Sequence, residues 1–261
     1  GTVFGSPQGD VFAAGELGML LRLVKGRWET LPPLSMNRRL AGATFSAQRG
    51  VAVGDNGTTL RFDGLTWKSV SEGDTTNLFA ISNVGPSDNW LVGDAGRVLH
   101  AHGGVYERVP STTTDPLRGV WAASTDDVWI VGDFGTVLHY GGQHVDFVSS
   151  GATTDFRGVY GFGAKDIWMV GRSGLLLHYD GQIFSRTDTG LSQTLNAIGG
   201  VSGRDVWAVG DQGVILHFTG GEWRRWWSRT GDTLRAVWAA AENDVWMVGD
   251  NGVIIRYNGG T

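Results

Sequence analysis

Four histidines stand in register: His100, His139, His178 and His217, each 39 residues from the next. Imidazoles at a constant spacing raise the question of a metal. Zinc, however, needs its ligands within about 2 Å of one centre, and side chains on separate packed sheets stand on the order of 10 Å apart. Arg22, Arg61 and Arg256 take the same place in other copies, and a guanidinium offers no lone pair to a metal. The expectation is structural. Each basic side chain bonds an acidic or backbone partner within or beside its own repeat, which keeps a buried polar group satisfied. His139, His178 and His217 should carry stability, with neither metal nor cofactor called for.

Chemistry is better sought where the copies differ. The stretch "EWRRWWSRTGD" (222–232) places Trp227 where other copies have Pro, Ser or Asp, so its ring should face solvent. With Arg224, Arg225 and Arg229 beside it, an exposed Trp suits stacking on a sugar or an aromatic ligand. The same ring could instead enlarge a sheet edge that packs on its neighbour. Arg172 replaces an acid found at that position in the other copies, and Arg118, Arg157 and Arg235 hold equivalent places, with Asn196 in the copy between. Three converging guanidiniums could grip a carboxylate or phosphate, or could pair with acids such as Asp133 and Asp250.

These residues are positioned by a repeat. The Gly of a Val-Gly or Ala-Gly pair recurs at Gly15, Gly54, Gly93, Gly132, Gly171, Gly210 and Gly249, and a second Gly keeps step from Gly18 to Gly252. Every interval is 39 residues. One copy holds four short runs rich in Val, Trp, Leu and Tyr, such as "LRGVW", "DVWIVG", "TVLHY" and "HVDFVS", separated by Gly and Asp turns. Such runs suit pleated strands joined by tight hairpins, and no helical stripe of apolar residues competes. Four antiparallel strands repeated about an axis make a β-propeller. The expected fold is all-β, one domain over 1–261, with seven blades at about 1–39, 40–77, 78–116, 117–155, 156–194, 195–233 and 234–261.

Within each unit the aromatic of the second strand (Phe12, Trp90, Trp129, Trp168, Trp207, Trp246, with Ala52 as the exception) should pack between blades. The turn acid (Glu16, Asp55, Asp94, Asp133, Asp211, Asp250) and the Asp opening the second strand (Asp10, Asp88, Asp127, Asp166, Asp205, Asp244) read as turn chemistry, each carboxylate bonding nearby backbone N–H groups.

Composition narrows the function classes. A net charge of −5 argues against general affinity for nucleic-acid phosphates. The absence of cysteine removes disulfides, thiolate nucleophiles and Cys-based metal sites. No run is long and apolar enough for a membrane helix, and no signal peptide opens the chain, which starts in mid-pattern as if an upstream segment had been removed. Neither G-x-S-x-G nor H-E-x-x-H occurs, and no carboxylate pair stands apart from the repeated positions.

The turns "RFDGLTW" (61–67), "HYDGQIF" (178–184) and "HFTGGEW" (217–223) resemble a degenerate Asp-box of sialidase-like propellers. The whole unit is similar to repeats of bacterial secreted and lipoprotein propellers and of photosystem II assembly-factor-like propellers. The resemblance covers essentially the whole chain. It implies a bacterial protein that is secreted, periplasmic or at the cell surface. Only Asp63 and Asp180 keep the box acid, and the arginine cluster and Tyr nucleophile of sialidases map onto no motif here, so sialidase activity is not implied.

The function expected is a non-enzymatic binding or assembly module that takes a protein or glycan on the loop face, among Ser/Thr-rich loops such as 71–77, 110–116 and 149–155. The alternative is a carbohydrate-active enzyme, a lyase or glycoside hydrolase, with its site at the channel mouth. The chain is twelve residues short of seven full units, and the piece wanting is the fourth strand of blade seven. Closure should therefore rest on packing between blades one and seven. The third strand of blade seven, about Val253–Tyr257, should present an edge open to strand addition by residues beyond the chain, another copy or a partner peptide.

Overall fold

A computed structural model describes residues 1–6, 9–32, 36–46, 49–70 and 75–260; the first half of the 71–77 loop lies outside them. Seven antiparallel sheets follow one another along the chain, six of four strands and the last of three, each in simple sequence order. The first strands of successive blades lie side by side around a channel of about 450 Å³. This is the all-β, seven-bladed propeller that the 39-residue period predicts. Blades one and seven meet through Val3, Val11, Ala13, Ala236, Trp246 and Val248, with Trp28 edge-on to Trp246 at 5.6 Å.

Register explains the repeated sequence. In blade four Trp129 lies directly opposite His139, and Asp127, two residues earlier, points to the same side as Trp129 because side chains alternate along a strand. His139 Nε2 donates to Asp127 Oδ1 at 2.7 Å. The same pair is His100–Asp88 (2.8 Å), His178–Asp166 (2.8 Å) and His217–Asp205 (2.6 Å), and Arg22–Asp10 (2.9 Å) and Arg256–Asp244 (2.8 Å) serve likewise. The imidazoles lie over the indoles, with centroids 3.6 Å apart for Trp207–His217 and 4.0 Å for Trp168–His178. Trp207 Nε1 and Trp168 Nε1 donate to the same carboxylates at 3.0 and 2.9 Å. The Asp opening the second strand thus holds the basic residue across the sheet, correcting its assignment to turn chemistry. Trp90, Trp129, Trp168, Trp207 and Trp246 are all buried between blades. In blade two the residue opposite Arg61 is Val51, so Val51 rather than Ala52 replaces the aromatic.

The two glycines of each unit have separate causes. Gly135 has φ +75° and follows Phe134 at φ 58°, the consecutive positive φ values of a tight hairpin turn. A Cβ on Gly135 would also stand 2.1 Å from the carbonyl oxygen of Ala152. Gly132 is extended, yet a Cβ there would meet the Pro116 carbonyl oxygen at 2.6 Å. Its size is dictated by the close approach of the segment entering the same blade.

The His217–Asp205 pair is the most enclosed of the set. Replacing His217 with Ala leaves the Asp205 carboxylate facing a void, and hydrogen bonds to charged groups contribute about 1.5–3 kcal/mol. His217→Ala should therefore lose stability of that order in denaturant unfolding. A variant as stable as the parent would contradict the structural role.

Candidate functional site

The seven sequence-nominated residues separate into two places. Arg118, Arg157, Arg172 and Arg235 gather at the channel mouth, whereas Trp227, Arg224 and Arg229 lie at the outer edge of blade six. At the mouth every guanidinium has an acid. Arg118 makes a two-pronged contact with Asp133 (3.1 and 2.7 Å) and lies 4.5 Å from the Phe79 ring centroid. Arg157 bridges Asp133 at 2.9 Å and Asp155 at 3.2 Å. Arg172 reaches Asp155 at 2.9 Å. The result is one alternating chain across blades four and five: Arg118, Asp133, Arg157, Asp155, Arg172. Because Arg172 stands where a turn acid would be, Arg157 has no carboxylate in its own turn and takes that of blade four. Arg235 grips Asp250 at 3.0 and 2.7 Å, and Asn196 donates to Asp211 at 2.9 Å.

The turn acids therefore hold the start of the first strand, as Arg39–Asp55 and Asn77–Asp94 also illustrate. This corrects the expectation that they serve mainly their own turn. Burial works to raise the Asp133 carboxyl, but hydrogen bonds and charge from Arg118 and Arg157 outweigh it and hold the group below the usual carboxylate range. The hydrogen bond from Arg235 lowers Asp250 as well. Both are fixed anions at neutral pH. A glycosidase acid requires the reverse, a carboxyl raised so that it stays protonated.

At blade six the fourth strand, Trp223–Trp227, alternates its rings. Trp223 packs on Trp168 at 5.5 Å. Trp226 turns the other way, 5.8 Å from Trp207 and edge-on to Tyr257 at 5.0 Å. Trp227 is 84% exposed, as its place in the repeat predicts. Arg224 pairs with Glu222, away from the other two. Trp227 and Arg229 rim a groove of about 330 Å³ whose wall is Trp207, Trp226, Ile255 and Tyr257. Ile255 and Tyr257 belong to the third strand of blade seven, Ile254–Tyr257, which pairs on one side only among the described residues. Sequence reasoning found this edge and Trp227 separately. It missed Trp226 and Tyr257, although the aromatic at Tyr257 is the residue that the lead side chain of a fourth strand opposes in blades five and six.

Asp88, His100 and His102 bring three possible metal-ligating atoms within 4.8 Å. Asp88 is already bonded to His100 at 2.8 Å and to Thr125 at 2.7 Å, and His102 is exposed. The group is the recurrent Asp–His pair with one more histidine alongside. The box-like acids Asp63 and Asp180 cap their own turns, accepting from Leu65 and Thr66 and from Gln182 and Ile183. No helix among the described residues is long and apolar enough to cross a membrane.

No protein-family model and no curated protein matches the chain. Solved structures do. A structure of YCF48 bound to D1 peptide aligns over 98% of this chain and 92% of its own, with a TM-score of 0.80 and 14% identity. YCF48 from Cyanidioschyzon merolae aligns over 98% and 94%, with a TM-score of 0.80 and 17% identity. The WD40 β-propeller domain of Doa1 aligns over 100% and 92%, with a TM-score of 0.84 and 9% identity. Identities this low establish a shared fold.

The channel-mouth network has a signature in pH. A carboxyl whose pKa is lower folded than unfolded adds stability above its unfolded value, near 3.9, and loses it as pH falls through the folded value. Asp133→Asn should cost about 1–3 kcal/mol near neutral pH. The difference from the parent should shrink as the pH is taken below about 4. Denaturant unfolding of both proteins from pH 7 downward measures it, and a gap that stays constant with pH would exclude the charged network as the cause.

Proposed function

We propose that this chain is a non-enzymatic binding module that engages a protein partner through an extended segment laid along the open edge of blade seven. The observation that carries the reading is the groove between blades six and seven. In blades one, five and six the lead aromatic of the fourth strand packs on the second-strand Trp of the preceding blade: Trp28 on Trp246, Phe184 on Trp129, Trp223 on Trp168. For blade seven the corresponding indole is Trp207, which is buried at the back of the groove behind Trp226 and Tyr257, so those two rings face an incoming segment. Backbone groups of Ile254–Tyr257 offer a ladder, and a pocket of aromatic rings receives alternate side chains. This combination is how strand addition achieves both affinity and selectivity. The fixed carboxylates of the channel mouth favour binding over hydrolysis. The complex of YCF48 with D1 peptide is in keeping with a propeller that takes a peptide.

Trp227 supports a second reading on its own. A fully presented indole beside Arg229 suits stacking on a glycan, and a glycan-array signal that vanishes in Trp227→Ala would favour it.

The peptide reading is tested with a synthetic copy of residues 64–70, the turn and fourth strand of blade two. It should bind saturably, and replacing its Trp with Ser should weaken binding about tenfold or more. Trp227→Ala should weaken binding by about 1–3 kcal/mol while leaving thermal stability nearly unchanged. A protein that ignores the peptide has its edge filled by its own chain or by a second copy, and the reading fails.

A further inference from the structure

Blade three departs from its siblings at the end of its third strand. That strand, Val98–His102, closes on a second histidine. The equivalent residues in the other copies are Val24, Asp63, Gly141, Asp180, Thr219 and Asn258. Side chains two apart on a strand share a face, so His100 and His102 stand on the same side of the sheet. The second strand, Asp88–Gly93, runs antiparallel to it and sets Asp88 directly opposite His102, with Trp90 opposite His100. Strand pairing thus brings two imidazoles and a carboxylate together.

His100 Nε2 lies 2.8 Å from Asp88 Oδ1, and His102 Nδ1 lies 3.7 Å from Asp88 Oδ2. One ligand atom from each residue falls within 4.8 Å of the others, and among the described residues this is the one group of histidines and acids to do so. Atoms about 2 Å from a shared tetrahedral ion stand roughly 3.3 Å from one another, so small side-chain rotations admit an ion here. Blades four, five and six each offer a single imidazole to a single carboxylate. The surroundings hold the set in place. His100 stacks on Trp90 with centroids 4.2 Å apart. Thr125 of blade four donates to Asp88 Oδ2 at 2.7 Å, the kind of bond that orients a ligating carboxylate. Trp90 Nε1 does not compete for that carboxylate, whereas the indoles of blades five and six do. His102 is exposed, which leaves its side of the group open to water.

We propose that Asp88, His100 and His102 bind a divalent transition-metal ion, zinc being the type case, with water in the fourth position. Imidazole and carboxylate donors suit zinc, and the net charge of −5 favours a cation at the surface. A ligating imidazole must present a lone pair. The hydrogen that His100 Nε2 gives to Asp88 therefore moves to Nδ1 through solvent, and the carboxylate turns from acceptor to ligand. The Asp–base contact that holds the other blades together becomes, with one added histidine, a set of three donors.

The repeat supplies substitutions that keep the fold. His102→Asn installs the residue of blade seven, Asn258, at an exposed place. His100→Arg installs the base that blades one and seven pair with the same acid, as Arg22–Asp10 and Arg256–Asp244, and a guanidinium has no lone pair for a metal. Calorimetric titration of the untagged protein with zinc chloride, after chelator treatment and dialysis, reads the site. The parent should saturate at one zinc per chain, and its melting temperature should rise with added zinc. Loss of a group that merely supports a metal ligand costs about 10–100-fold in affinity, so loss of a ligand should weaken binding at least tenfold in each variant. Without zinc both variants should melt near the parent, which separates a lost ligand from a lost fold. A parent with no saturable zinc binding, or a variant that binds zinc as tightly as the parent, overturns the proposal.

Discussion

The fold rests on one recurring contact: a carboxylate that holds a basic ring or guanidinium over an indole. Asp205, Trp207 and His217 display it in full, with Asp205 Oδ1 receiving both the imidazole at 2.6 Å and the indole at 3.0 Å. A large flat ring buried between sheets contributes much apolar area, but its rim needs a defined setting. The stacked imidazole covers one face of the ring, and the carboxylate fixes the imidazole. Because the members come from adjacent strands of one sheet, every blade except blade two carries its own copy, with Phe12 in place of the indole in blade one. Neighbouring blades then meet ring to aliphatic, as Trp129 meets Ile167 and Met169. Six of the seven joints carry such a ring, and at the joint between blades two and three Val51 takes its place.

The channel mouth repeats that logic with other residues. Turn acids clasp the segment that starts the first strand, so the innermost strands are tied at the top of the channel as the outer ones are tied by the Asp–base pairs. Arg172 breaks the pattern in blade five, and the network reorganises around it instead of leaving a charge unmatched: Arg157 spans Asp133 and Asp155. Charged side chains at the mouth thus belong chiefly to the scaffold. The recognition site we propose lies where the repeat is incomplete, at the open edge of blade seven.

How much of this was legible in the sequence depends on how local the determinant is. Strand number, period and blade count follow from the spacing of Gly15 through Gly249, because a hairpin turn is set by a few consecutive residues. The exposure of Trp227 was legible for a similar reason: alternation along a strand and comparison with sibling copies assign a face. The role of Asp127 was not. Its partner His139 lies 12 residues away, and a carboxylate before a Val-Trp run looks the same whether it caps a turn or crosses the sheet. Val51 was legible from the period itself, since it lies 39 residues before Trp90, and its pairing with Arg61 agrees.

The sequence by itself determined a closed ring of seven equivalent sheets with one short blade, because periodic hydrophobicity and turn residues act over a few positions and repeat without insertion. Tertiary structure alone decided which residues meet across blades. Arg157 reaches a carboxylate of the preceding blade, and Trp226 and Tyr257 form one groove. These distances depend on how each sheet is rotated against the next. That rotation is the sum of packing at every joint, and no single stretch of chain encodes it.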